Sequence, residues 1–159
     1  MLRDADNIAH KRAVWSAMNA IAESGPGMLA ANLSAIYHPD AAWRGSHPWN
    51  ELQGVEAIQR TFWAPLLASF PDLERRHAIV MGGSYQDRAY VGMVGHLAGT
   101  FRRDWLGLPA TEQVVYLRCG EFHQMVDGKI VQSTVLLDVL DAIRQAGFWP
   151  LAPSLGKEG

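Results

Sequence analysis

The chain has 159 residues and a single cysteine, Cys119, so no internal disulfide can form and the small disulfide-built scaffolds are excluded. Cys119 falls in an apolar run where a small packing residue serves equally well, which reads as an inert thiol. No stretch approaches the ~18 consecutive apolar residues of a membrane-spanning helix. Charge of one sign is also scarce. The net charge is −2 with no run of five like charges, so the electrostatic footprint of a nucleic-acid or anionic-membrane partner is missing. The six histidines lie without close pairing and without a neighbouring cysteine, and no metal motif results. Ser46-His47 lacks the context of a nucleophile elbow. The first thirty residues carry Asp4, Asp6 and Glu23 instead of a basic start and an apolar block, so a signal peptide is not expected and the cytoplasm is the expected compartment.

What remains is rich in apolar material. Hydrophobic residues make up 48% of the chain and six are tryptophans, enough for a core and an apolar cavity that suits a small apolar or aromatic molecule. Repeats, linkers and low-complexity segments are lacking, so residues 1–159 read as a single domain, with 148–159 as a tail.

Helical spacing comes first along the chain. Ile8, Trp15, Met18 and Ala22 form a stripe after the N-cap Asp6, ended by Gly25-Pro26-Gly27. Met28, Leu29, Leu33 and Ile36 repeat it up to the turn His38-Pro39-Asp40. A brief strand over Ala41 to Arg44 and a loop over Gly45 to Gln53 follow. Val55, Ile58, Phe62, Leu66 and Phe70 then predict a third helix, interrupted at Pro65 for want of an amide proton.

Beyond Pro71-Asp72 the period changes to two. Leu73 to Met81, Arg88 to Phe101, Val114 to Val126 and Ile130 to Leu137 predict strands, divided by Gly82-Gly83, a Pro/Gly loop and the hairpin signal Asp127-Gly128. A last helix starts at Asp138 and stops at Gly147. Helices followed by strands indicate α+β with a mostly antiparallel sheet, curved into a cone whose concave face the helices cover.

The hairpin around Asp127-Gly128 carries the chemistry. Alternation puts Glu121 and His123 on one face of their strand, and Gln132, Thr134, Leu136 and Asp138 on one face of the next. Register decides whether those faces coincide. Apolar neighbours on both sides of Asp138 would raise its pKa toward a working acid or base, whereas its place before a helical run suits an N-cap. His123 offers one donor and one acceptor nitrogen when neutral. Trp43, His47 and Trp49 belong to a loop at the open end of the cone, where flat rings stack on a flat ligand. His96 lies on an apolar strand as a pocket candidate, while His38 and His77 read as turn and surface residues.

Several fragments in order resemble one known family. They are His38-Pro39-Asp40, Gly54-Val55-Glu56-Ala57-Ile58, Phe70-Pro71-Asp72-Leu73, Gly95 to Phe101, Leu108-Pro109-Ala110-Thr111, and Glu121-Phe122-His123 through Asp127-Gly128-Lys129-Ile130-Val131 to Asp138. From Val14 to Gly147 the chain resembles the SnoaL-like polyketide cyclases of the NTF2-like (cystatin-like) superfamily. The resemblance implies an α+β cone with an internal apolar pocket, a homodimer through the outer sheet face, and ligand binding without metal or organic cofactor. It implies an aldol-type ring closure, with Asp138 as acid/base and His123 beside it; Trp43, His47, Trp49, His96, Glu121 and Thr134 are expected as ligand contacts from their placement in the chain, the Trp43–Trp49 loop being heavier in aromatics than the family pattern. Thr134 stands where those cyclases often carry an aromatic, which points to a different substrate. A hydrolase or isomerase in the same cone, with Arg118 as its nearest arginine, and a non-catalytic ligand-binding dimer are the alternatives.

Overall fold

The computed structural model describes residues 4–25 and 27–148. The tail after Phe148 therefore lies outside the described residues. Helix α1 (Asp4–Ala22) packs along the sheet through Val14, Met18 and Ile21, none of them exposed. That spacing of four and three residues is the inward stripe. Ile8 and Trp15 of the predicted stripe lie on the neighbouring flank and are nearly half exposed, because the buried face centres one residue earlier, on Val14. Helix α2 (Leu29–Ile36) follows and buries Leu33 and Ile36.

Strand β1 (Tyr37–Gly45) begins at once, so His38-Pro39-Asp40 is an irregular stretch inside a strand and not a turn before one. β2 (Glu51–Gln53) pairs back on it, within the expected loop. Helix α3 (Val55–Ile58) passes into a π-helical turn (Gln59–Trp63) and then α4 (Ala64–Ser69). The interruption thus precedes Pro65. A helix needs an amide at position 65 to bond the Thr61 carbonyl, and proline has none. The Trp49 indole Nε1 donates to that carbonyl instead, at 3.1 Å. The widened turn also brings the adjacent Phe62 and Trp63 both inside, 2% and 3% exposed.

The long strands are β3 (Glu74–Tyr85), β4 (Arg88–Thr100), β5 (Val114–Val126) and β6 (Lys129–Leu137). β3 runs past Gly82-Gly83 and turns at Gln86-Asp87, both with positive φ, because a two-residue turn of that hand matches the twist of its strands. Asp127-Gly128 does the same between β5 and β6. The curved sheet has the order β2-β1-β6-β5-β4-β3, antiparallel except for the parallel β1–β6 pair. Helix α5 (Val139–Gln145) closes the described chain, and Gly147 at φ 84° ends it. No helix among the described residues is long and apolar enough to cross a membrane.

The concave interior is filled. Tyr37, Trp43, Phe62, Phe70, Leu97 and Phe101 are each at most 2% exposed, and the concavities that reach solvent open elsewhere on the molecule. An internal apolar pocket was the expectation; aromatic side chains occupy that space.

Candidate active site inside the cone

Cross-strand register builds the site. Trp43, Ser133, His123 and Val91 lie opposite one another from β1 across β6 and β5 to β4, and the next inward row holds Val135, Glu121 and Met93. His123 and Ser133 are fully buried and Glu121 is 3% exposed. Buried polar groups need partners, and these supply one another. Tyr37 Oη lies 3.1 Å from Ser133 Oγ, Ser133 Oγ 2.8 Å from His123 Nδ1, and His123 Nε2 3.1 Å from Glu121 Oε2.

Arg75, from β3, completes the chain. Its Nη2 donates to Glu121 Oε1 at 2.5 Å, with the two side chains 1% and 4% exposed. Arg75 Nε faces His77 Nε2 at 3.3 Å, and His77 Nδ1 accepts from the Trp15 indole at 3.3 Å. One set of proton positions satisfies the inner hydrogen bonds together. Tyr37 donates to Ser133, Ser133 donates to Nδ1 of a neutral His123, and Nε2–H donates to the Glu121 carboxylate.

Burial by itself would push the Glu121 carboxyl up, but the Arg75 charge and the hydrogen bond to His123 outweigh it and hold the group at about 2. Glu121 is therefore ionised, and with Arg75 it forms a neutral pair in the interior. Burial raises the Tyr37 hydroxyl well above its ordinary value, so it stays a donor. Burial, followed by the Arg75 charge, lowers the His77 imidazole.

The residues expected at the site divide. Glu121 and His123 are brought together; Trp43 lies in the same inward row as His123, and Trp49 packs on Trp43 in the core, with ring centroids 6.4 Å apart and Phe62 4.8 Å from Trp43. His47 is exposed in the β1–β2 loop. His96 faces outward, 6.5 Å from the Tyr116 ring and across from Arg118. Thr134 pairs with Phe122, whose side chain is exposed on the outer face.

Asp138 does not join His123. Its Oδ1 accepts from the Asp141 amide at 3.0 Å as the N-cap of α5, and its Oδ2 pairs with Arg118 at 2.8 Å on the outer side. A bulge is the reason. Met125 pairs with Ile130, but Gln124 pairs with Gln132, so Val131 is an extra residue in β6. Without it His123 would lie opposite Gln132, and Thr134 and Asp138 would share its face. One inserted residue exchanges the faces, bringing Ser133 and Val135 inward and sending Thr134 and Asp138 out.

Arg75 and Ser133 were not anticipated, and His77 turns inward instead of lying on the surface. Alternation from the buried Leu73 does place Arg75 and His77 inward, so parity was the available signal. No three His, Cys, Asp or Glu side chains among the described residues converge as a metal site.

An α+β cone with a buried polar chain across its inner face defines the general class. A family model for SnoaL-like polyketide cyclases matches residues 13–146, and the chain belongs to that family. Solved structures agree on the fold. A candidate SnoaL-like polyketide cyclase from Jannaschia sp. CCS1 is similar over 92% of this chain and 96% of its own, at 20% identity and a TM-score of 0.73. AclR from Streptomyces galilaeus, described as a candidate hydroxylase, is similar over 94% of this chain and 87% of its own, at 19% identity and a TM-score of 0.71. TsrD from Streptomyces laurentii gives 92% and 98%, at 20% identity and a TM-score of 0.68. No curated protein matches the sequence.

Proposed function

We propose that the protein is a cyclase-type enzyme that moves a proton on a small apolar or aromatic carbonyl compound by general acid/base catalysis, without a cofactor, with His123 as the group that exchanges the proton. The observation that carries this reading is a fully buried imidazole held between an ionised carboxylate and a serine hydroxyl. Glu121 fixes the Nε2–H tautomer and stabilises the imidazolium once it forms, so the proton enters and leaves at Nδ1. The Ser133 hydroxyl occupies Nδ1 in this structure. A ligand reaches Nδ1 only when the aromatic side chains that fill the interior move aside and the Ser133 hydroxyl rotates toward Tyr37, which frees the lone pair. Acid/base help of this kind is typically worth ~10²–10⁴-fold, so the aromatic walls must also orient the ligand.

This reading leaves Asp138 out of the proton transfer, and the support is that its oxygens meet the Asp141 amide and Arg118 on the outer side. The neighbours' differing descriptions, cyclase and hydroxylase, fit a shared fold whose interior sets the reaction. Deuterium exchange into the α-carbon of an aromatic ketone, and ring closure of an aromatic polycarbonyl ester, are the assays. Wild type catalyses one or both, and His123→Gln loses at least ~10²-fold. Equal rates in wild type and His123→Gln reject the assignment. Homodimerisation belongs to the same reading, through the outer sheet face where Ile79, Met81, Phe122 and Leu136 are exposed. Sedimentation velocity of wild type and Phe122→Lys tests that contact.

A further inference from the structure

The loop between β4 and β5 starts polar, Arg102-Arg103-Asp104, and then carries Trp105, Leu106 and Leu108. Leu106 and Gly107, both at positive φ, form a two-residue turn across which Trp105 and Leu108 exchange backbone hydrogen bonds of 3.0 and 2.9 Å. Asp104 Oδ1 accepts from the Ala110 amide at 2.9 Å and ties the end of this small hairpin to its beginning. Residues 103–110 are thus braced from within. To the rest of the molecule they make one hydrogen bond among the described residues, from Ser69 Oγ to the Asp104 carbonyl at 3.2 Å.

What holds this segment down is the Trp105 side chain. Its indole is 3% exposed and packs on Trp49 and Phe70, with ring centroids 5.9 and 5.5 Å away. Trp49 packs in turn on Trp43, which shares the inward row of Ser133 and His123, so a line of rings runs from the surface segment to the buried imidazole. The grip is incomplete in two respects. Trp105 Nε1 is buried and meets no acceptor among the described residues, a cost that contact with water removes. Toward α4 the segment is unpacked, and a concavity of about 460 Å³ that reaches solvent is lined there by Arg103 and by Ala64, Leu67, Ala68 and Pro71.

We propose that residues 103–110 are a flap that swings out as one body and withdraws the Trp105 indole, and that this movement opens the filled cone to solvent. The base of the flap is anchored. Phe101 exchanges hydrogen bonds with Glu112 and Gln113, and Arg102 donates to the Ser69 carbonyl at 2.8 Å and to Glu112 Oε2 at 2.5 Å. Bonds inside the flap travel with it, so opening breaks only the Ser69–Asp104 bond and the packing of Trp105 and of the half-buried Leu108. Flaps of this kind gate enclosed sites on the μs–ms scale. Its purpose rests on the proposed binding of a small apolar molecule inside the cone, which takes the place the indole leaves against Trp49 and Phe70.

Hydrogen exchange of the Trp105 indole, followed by NMR, tests the movement, since a buried Nε1–H exchanges only when the side chain leaves the interior. Its resonance is identified by its loss in Trp105→Phe. In wild type it exchanges at least ~10²-fold faster than the amide of Leu97 in β4, while the Trp105 and Leu108 amides stay slower than the indole because their bonds move with the flap. Ser69→Ala removes the one hydrogen bond to the body and speeds indole exchange about fivefold. Stopped-flow association of naphthalene, read by tryptophan quenching, accelerates by the same factor. Indole exchange as slow as that of the Leu97 amide, backbone amides that exchange together with the indole, or a rate that Ser69→Ala leaves unchanged overturns the flap. No naphthalene binding, or association that Ser69→Ala leaves unchanged, overturns its part in admission. The acid/base reading is scored apart: a moving indole without α-carbon deuteration of the aromatic ketone sinks that reading and keeps the flap, and deuteration with a static indole does the reverse.

Discussion

Replacing Glu121 by Gln keeps the shape of the side chain and removes its charge, leaving the Arg75 guanidinium ionised in an interior where it is 1% exposed. Removing one member of a buried ion pair typically costs ~3–5 kcal/mol, since the desolvated partner is left uncompensated. The amide oxygen of Gln still accepts from Arg75, which favours the lower end, about 3 kcal/mol. Linkage gives a similar figure. The Arg75 charge and the hydrogen bond to His123, set against burial, hold the carboxyl at about 2 instead of its ordinary 4.5, and that gap corresponds to about 3 kcal/mol.

The sign follows from the depressed value. The contribution is fully present above pH 4.5 and is lost as the pH falls from there toward about 2. A loss of about 3 kcal/mol is a large part of the ~5–15 kcal/mol that holds a domain together, and it lowers the melting temperature by roughly 6–12 °C at this chain length. Urea unfolding at pH 7 and at a series of lower pH values measures it. Wild type should lose stability steeply below pH 4.5, and Glu121→Gln should lose less over that range. The double variant Arg75→Met/Glu121→Gln should be at least ~1 kcal/mol more stable than Glu121→Gln alone. A loss below ~1 kcal/mol in Glu121→Gln, or strictly additive losses in the double variant, would refute the buried pair.

Further outcomes follow from single contacts. Asp138→Ala removes the cap of α5 and the Arg118 pair, and should cost ~0.5–2 kcal/mol in urea unfolding while leaving α-carbon exchange unchanged; a collapse of exchange would return Asp138 to the chemistry. The Cys119 thiol, pushed up to about 12 chiefly by burial, should resist alkylation in the native protein at pH 8 and react only on unfolding; rapid native modification by iodoacetamide would contradict its placement. Gly95→Ala would drive a Cβ into the Arg76 carbonyl on the adjacent strand and should cost ~1–3 kcal/mol, read by thermal melting; an unchanged melting temperature would mean that β3 and β4 are not so close.

Much of the cone is written locally. Asp127-Gly128 fixes the β5–β6 turn because its residues accept positive φ, and the period-two runs mark the long strands nearly to their ends. Glu121 and His123 share a face by alternation alone, whatever their partners. Asp138 caps α5 for an equally local reason, since its side chain reaches an amide three residues on. Sequence by itself therefore determined the helices-then-strands order, most of each long strand, the β5–β6 turn and the pairing of acid with imidazole on one strand.

The rest was decided by packing between distant segments. Arg75 meets Glu121 across 46 residues, and nothing in either neighbourhood names the other. Pro65 announces a helix defect, but its form depends on the Trp49 indole taking the Thr61 carbonyl, a bond that exists only once β1 and the helix are packed. The face on which Asp138 emerges turns on one bulged residue, Val131, that leaves no strong signature in the run Ile130 to Leu137. Strand periodicity fixes which residues travel together; the register that only the assembled sheet supplies decides whether they point into the cone or out of it.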